Sequence, residues 1–359
     1  MDAVTDNRDA LVGLIADTID RLINLDISGY GVIDHLYKAS RALHSRPVVQ
    51  VAAEQLRQRL EGSRGETVFV TSGWIMPGTF PHGETDGPIG AATLARALGI
   101  AFGTRTVILT EAPLIECTAA TCRAAGLSVL TESDISVAPR PVHPGLLHCI
   151  IAPFPIDDEE AVSEAGRLFG AYNPKALISI EKNGPNKDGL YCMVDGSDNT
   201  ECVAKAGRLF EEARRRSVLT IGIGDRGNEI GFGAIAEVPR RVLPFGENAT
   251  DNTTVEILVT AAVSNWGASG IAASLAAMLG RPEIFHDPET EKRMLYRCIE
   301  AGGIDGFSCR PVPMTDGMQE ATHVAICALL NEIVRAPAVT VSGLFSTPIH
   351  KKRPSNLRS

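Results

Sequence analysis

The sequence predicts an α/β fold: a mostly parallel sheet with helices on both faces and a helical lead-in at the N-terminus. Three observations carry that expectation. Short apolar runs recur after residue 66, each closing on a turn cluster. Helical periodicity fills the intervals between them, and the segment before residue 64 shows helical periodicity only.

In the lead-in, residues 1–64, Leu11, Leu14, Ile15, Ile19 and Leu22 fall on one helical face. The glycine-containing break Ile27-Ser28-Gly29-Tyr30-Gly31 ends that helix, and further helices are expected over 32–43 and 47–61. An α/β catalytic domain is expected over 65–335. Its strands are Val68-Phe69-Val70, Val107-Ile108-Leu109, Ala176-Leu177-Ile178-Ser179-Ile180 and Val218-Leu219-Thr220-Ile221-Gly222-Ile223. Helices are expected at 88–102, 113–126, 157–170, 200–216 and 252–264, with an Ala/Gly/Ser-rich helical pair across 253–280 around Ser264-Asn265-Trp266-Gly267. Strand alternating with helix gives βαβ units and a parallel sheet. A Pro-rich joint from Pro139 to Pro144 is expected to separate two lobes of that domain, and 336–359 forms a tail.

With 44% hydrophobic and 21% charged residues in 359, the chain has the balance of a globular protein rather than a disordered one. A formal charge of −9 leaves no electrostatic footprint for nucleic acid or an anionic membrane. The basic cluster Lys351, Lys352, Arg353 and Arg358 reads as a solvated tail. No apolar run approaches the roughly 18 residues of a membrane span, and MDAVTDNRDALVG lacks the layout of a signal peptide, so a cytoplasmic enzyme is expected. The eight cysteines read as reduced core thiols. Cys117 and Cys122 share the helix from Pro113 to Gly126 with no zinc-type partner spacing, so no metal role is assigned there.

Ligands of open α/β sheets bind beyond the carboxyl ends of the strands, so the loops that follow strands hold the candidate site. The first loop runs Thr71-Ser72-Gly73-Trp74 to Gly83-Glu84-Thr85-Asp86-Gly87-Pro88, with Pro88 suited to the first turn of the next helix and the N–H groups there suited to an anion. The second, Ile180-Glu181-Lys182-Asn183-Gly184-Pro185-Asn186-Lys187-Asp188-Gly189, is the densest in charge and amide groups. Its lysines can clamp a carboxylate or act as bases, or pair structurally with Glu181 or Asp188.

The third loop, Gly222-Ile223-Gly224-Asp225-Arg226-Gly227-Asn228-Glu229-Ile230-Gly231, matches G-x-G-x-x-G. Asp225, however, sits where a pyrophosphate would lie, and Gly231, Gly233 and Pro239 break up the helix that should follow. Asp225 and Glu229 read instead as acid/base groups or, as the lesser reading, ligands of a hard cation. Two late stretches, Ala301 to Gly306 and Thr315-Asp316-Gly317, read as turns.

The segments IEKNGPNKDGLY at 180–191, GIGDRGNEIGFG at 222–233, VSNWGASG at 263–270 and ETDGP at 84–88 together resemble the C-terminal domain of the D-glutamate cyclase family. The likeness runs from the lead-in to about residue 335. The chain departs from the family pattern at Arg226, where glycine is usual, at Phe232, where methionine is usual, and at Cys192, often histidine. The resemblance implies conversion of D-glutamate to 5-oxo-D-proline with loss of water, with no cofactor required and a small dicarboxylic amino acid as partner. Oligomeric state is left open.

On that reading Lys182 and Lys187, with Asn183 and Asn186, hold carboxylates and stabilise developing charge, while Asp225 or Glu229 moves protons. Thr71, Ser72 and Gly73 grip the α-carboxylate, and Glu84, Asp86, Asp188, Gly227 and Asn228 complete the substrate-binding set. Two other readings stay open. One is a nucleotide- or phosphate-binding protein using 71–88 and 222–231; the other is a binder of a small amino acid that leaves it unchanged.

Overall fold

A computed structural model describes residues 2–62, 64–136, 143 and 145–336. Three helices, α1 (Asp2–Ile23), α2 (Ile33–His44) and α3 (Val48–Leu60), precede the sheet. The chain then runs β1 (Thr67–Ser72), α4 (Pro88–Phe102), β2 (Arg105–Thr110), α5 (Ile115–Ala124), β3 (Ser128–Leu130), α6 (Glu132–Ser136), β4 (His148–Pro153), α7 (Asp158–Tyr172) and β5 (Ala176–Ile180). It continues through α8 (Gly207–Arg215), β6 (Leu219–Gly224), α9 (Glu237–Val242), α10 (Gly246–Ala249), β7 (Ile257–Thr260), α11 (Ser264–Leu279) and α12 (Pro288–Glu300). A short hairpin, β8 (Met314–Thr315) and β9 (Met318–Gln319), leads into α13 (Glu320–Arg335).

Seven parallel strands form one sheet in the order β3-β4-β2-β1-β5-β6-β7. The central strand β1 is buried along its whole length, as a parallel strand covered on both faces must be. Its side chains alternate: Val68 and Val70 enter one core with α1, α3, α4 and α11, while Phe69 enters a second with Phe169 of α7 and Phe210 of α8. The lead-in helices therefore pack into the same core as one face of the sheet, through Ile19, Ile23, Val49 and Leu56. Leu14, expected on that buried face of α1, is instead 68% exposed.

From β1 the chain moves outward through β2 and β4 on one side, then returns through β5 to the other, so strand order reverses between β1 and β5. The carboxyl ends of neighbouring strands part there and leave a crevice. Helix α11 closes one wall. Its small residues allow close approach to α4, where a Cβ on Gly90 would stand 3.0 Å from the Cβ of Ala268.

The helix expected over 252–264 is not formed. Ile257–Thr260 is strand β7, parallel to β6, and a single helix, α11, replaces the expected pair. A short run buried on both faces carries no alternating signal, so apolar content alone could not tell strand from helix. Strands β3 and β4 were also not expected, β3 being only three residues long, and α8 begins at Gly207 rather than 200. The joint at 139–144 lies, His143 apart, outside the described residues, as does the basic cluster of the tail. The strands on either side of that joint belong to one sheet. Among the described residues no helix is long and apolar enough to cross a membrane.

Candidate active site

At the crevice between β1 and β5 the chain collects carboxylates. Glu84 and Asp86 come from the long loop before α4, Glu181 follows β5, Asp225 and Glu229 follow β6, and Asp316 sits in the β8–β9 turn. All six are buried and gather around Arg226. Glu84, Glu181, Glu229 and Asp316 border a cleft of about 90 Å³ lined also by Trp74, Phe80, Met193, Asn228 and Phe307, while Asp225 lines a neighbouring cavity. A larger cavity of about 400 Å³ lies on the other side of Arg226 and shares Val194, Arg226 and Phe307 with the cleft. The groove beside α1 and α3, about 1160 Å³, touches none of these carboxylates.

Local backbone chemistry fixes each group. Glu181 takes a left-handed conformation, φ +47°, and its Oε2 accepts from Ser264 Oγ at 2.6 Å. A non-glycine residue held there is locally strained, a feature that concentrates at functional sites. Asp86 accepts from the Ser264 and Asn265 N–H groups at 2.9 and 2.8 Å, so its charge caps the N-terminus of α11. Gly87, φ +98°, lets the loop turn back over β1: a Cβ there would stand 2.9 Å from the Gly73 nitrogen. Glu229 accepts from the N–H groups of Arg226 and Gly227 at 3.1 and 2.7 Å and braces the turn after β6.

Arg226 donates to Asp316 at 2.9 Å, and its other terminal nitrogen stands 3.0 Å from Asp225 Oδ2. Its guanidinium lies 4.7 Å from the centre of the Phe307 ring, which meets Tyr30 of the lead-in at 5.5 Å.

Several buried atoms here have no hydrogen-bond partner: both oxygens of Asp225, Oε1 of Glu84, Oδ1 of Asn183 and Nε1 of Trp74. Buried polar groups are normally satisfied, so their concentration around Arg226 singles this region out as the candidate site. Burial pushes Glu84, Asp86, Glu181 and Asp225 well above the ordinary carboxylate range. For Glu84, Asp86 and Glu181 neighbouring carboxylates add to the rise; for Asp225 Arg226 pulls partly back. Burial also opposes charge on Asp316, but Arg226 outweighs it and holds that carboxyl low.

The structure brings Glu84, Asp86, Asn183, Asp225, Gly227, Asn228 and Glu229 to this one place. Asn183 and Asn228 both donate to the Cys192 carbonyl, at 3.1 and 3.3 Å. Thr71, Ser72 and Gly73 lie one layer deeper, buried at the end of β1 and outside the cleft lining.

The second loop divides. Lys182 is completely buried on the far side of β5 from Glu181, where Nζ donates to Glu111 and, at 2.8 Å, to the Gly73 carbonyl. Burial lowers its pKa against the pull of Glu111. Asn186 Oδ1 accepts from the N–H groups of Asp188 and Leu190, which builds a turn rather than a ligand contact. Lys187 and Asp188 face outward, and Lys187 pairs with exposed Glu247. Lysine spacing along the loop could not reveal this, because Glu111 and Glu247 are remote in sequence.

Sequence reasoning passed over Arg226, Asp316, Glu181, Trp74 and Phe307. Asp316 offered the one available signal, an Asp-Gly pair in a left-handed turn, φ +55°, and that pattern is common in ordinary turns.

Fold and site together define an open, parallel α/β protein with an acidic cleft at its strand-order switch. The particular family follows from comparison with known proteins: the chain belongs to the D-glutamate cyclase-like family, whose C-terminal domain model it matches over residues 19–331. It is similar to human "D-glutamate cyclase, mitochondrial", 29% identical over 234 residues, which covers 62% of this chain and 34% of the human protein. The match thus spans about a third of that relative's length.

Proposed function

We propose that the protein is a hydro-lyase of the D-glutamate cyclase type, interconverting D-glutamate with 5-oxo-D-proline and water. Family membership supports the substrate class. The observation that carries the chemistry is the pair of buried carboxylates with unpartnered oxygens, Glu84 and Asp225, in the two cavities that meet at Arg226.

Cyclisation moves two protons from the ammonium nitrogen to one oxygen of the γ-carboxylate. Asp225 takes the first proton. The freed amine attacks the γ-carboxyl carbon, forming the C–N bond as the C=O electron pair moves to oxygen. The second nitrogen proton and a carboxyl proton from Glu84 reach the departing oxygen, which leaves as water as the C–O bond breaks and the C=O bond re-forms. Burial favours the proton-holding form of Glu84, which suits the acid role, whereas Arg226 pulls Asp225 back toward the ionised form a base needs. Arg226 and the Trp74 indole N–H take the carboxylate-holding role that the sequence assigned to Lys182 and Lys187. Because nucleophile and electrophile share one molecule, holding the folded conformer contributes on the order of 7–11 kcal/mol in favourable cases.

The deciding experiment is NMR of the purified protein mixed separately with D-glutamate, L-glutamate and 5-oxo-D-proline. Appearance of lactam signals from D-glutamate, or of D-glutamate from the lactam, is expected. Unchanged spectra in all three mixtures would defeat the reading.

A further inference from the structure

Asp86, Glu181 and Asp225 come from three different loops, yet each offers a carboxylate oxygen within 4.8 Å of the others. Such a cluster alone is not a site. Two side chains nevertheless point to a missing positive partner. Asp225 is buried with neither oxygen accepting a hydrogen bond; Arg226 stands 3.0 Å from its Oδ2, and the carboxylates of Glu181, Asp316 and Glu229 press on it. Glu84, outside the trio and 4% exposed, lines the same cleft as Glu181 with its Oε1 unpartnered. One guanidinium, already shared with Asp316, cannot compensate this many carboxylates.

We propose that Asp86, Glu181 and Asp225 bind a divalent cation of the Mg²⁺ or Mn²⁺ class. The donors are all carboxylate oxygens, with no thiolate or imidazole among the three, which favours a hard cation over zinc or copper. The trio is also oriented as metal ligands are. Asp86 is fixed by the Ser264 and Asn265 N–H groups and Glu181 by the Ser264 hydroxyl, so outer partners aim the carboxylates. Glu181 borders one cavity and Asp225 the other beside Arg226, which leaves room for water or a substrate carboxylate next to the cation.

A second buried trio, His286, Glu291 and Cys327, offers a contrast within the molecule. There His286 Nε2 and Glu291 are already paired at 2.6 Å, and none of the three has an orphaned polar atom. It is the natural control.

The test is titration of chelator-treated protein with Mn²⁺ in the absence of any amino acid, with free Mn²⁺ read by EPR. One saturable site per chain is expected, weakened at least about tenfold in Asp225→Asn and in Glu181→Gln and unchanged in Glu291→Gln. In the wild-type protein, bound Mn²⁺ should broaden the amide NMR signals of Ser264 and Asn265 and spare those of α12. That measurement locates the ion even if the substitutions prevent folding. No saturable binding at millimolar Mn²⁺, equal binding by wild type and both variants, or broadening confined to α12 would overturn the assignment. Because binding is read without substrate, its failure leaves the cyclase reading untouched, and absence of turnover leaves this site untouched.

Discussion

Two neighbouring residues, Glu181 and Lys182, leave the end of the same strand and meet opposite fates. Lys182 turns to one side of the sheet and finds a complete set of partners: Glu111, which itself accepts from the Ala204 N–H at 2.8 Å and from Thr110, and the Gly73 carbonyl. Glu181 turns to the other side and enters a crowd of like charges, where the Ser264 hydroxyl donates to its Oε2 at 2.6 Å. Both are buried. One charge is met by an opposite charge inside the fold, and the other sits among like charges. Burial of an ionisable group is therefore a poor guide to function; the balance of its partners is a better one.

The sharpest way to break that contrast is Asp225→Asn, which removes a carboxylate from the unsatisfied side. Loss of a positioned proton carrier should lower D-glutamate turnover by about 10²–10⁴-fold, with the thermal transition kept or raised, since one of several repelling charges is gone. Steady-state kinetics beside calorimetry separates the two effects. Full turnover in a folded variant would remove Asp225 from the chemistry.

On the satisfied side, Lys182→Met should act through stability. It strands the Glu111 carboxylate in the core, at a cost of about 3–5 kcal/mol by analogy with other broken buried pairs. Adding Glu111→Leu should recover part of the loss, and urea denaturation of the single and double variants measures it. A double variant no more stable than the single one would mean that Lys182 does more than neutralise Glu111.

The pH dependence of stability sharpens the comparison further. Glu84, Asp86, Glu181 and Asp225 have pKa values raised in the folded state, and Asp251, buried where it braces the 231–233 turn, is raised to about 8. The folded protein therefore binds more protons than the unfolded chain above the ordinary carboxylate range. Stability from these groups is present below that range and is lost as pH rises through the folded values. Asp316, lowered, works the other way and loses its contribution as pH falls. With five groups against one, the melting temperature of metal-free protein should fall between pH 5 and pH 8, and saturating Mn²⁺ should flatten that fall. A transition that rises steadily with pH in the metal-free protein would mean that these carboxylates ionise freely in the folded state.

The smallest effect is expected at Lys187→Ala. Its partner Glu247 is exposed, as is Lys187 itself, and such pairs contribute little. Neither turnover nor the melting temperature should change measurably, whereas a large loss of activity would return Lys187 to the site.

Much of the architecture was legible because parallel strands and amphipathic helices write their periods into the chain. β5 fell on the expected residues, and Pro88 opens α4 as its place in the loop suggested. Ile257–Thr260 was not legible, since four buried residues fit either period. At the site, Asp225 stood out as a carboxylate where a pyrophosphate would lie after a strand, and Glu84 and Asp86 through the ETDGP stretch that carries part of the family resemblance. Asp316, in a common turn sequence far along the chain, did not.

By itself the sequence determined which segments alternate, where the strands end, and hence that polar loops would collect at one edge of a sheet. Only the tertiary structure decided which charges meet: Lys182 with Glu111 across the sheet, and Arg226 with Asp225 and Asp316 in the cleft. Periodicity is a local property of the chain, whereas the free energy of a buried charge depends on partners that are distant in sequence and become neighbours only when the sheet closes.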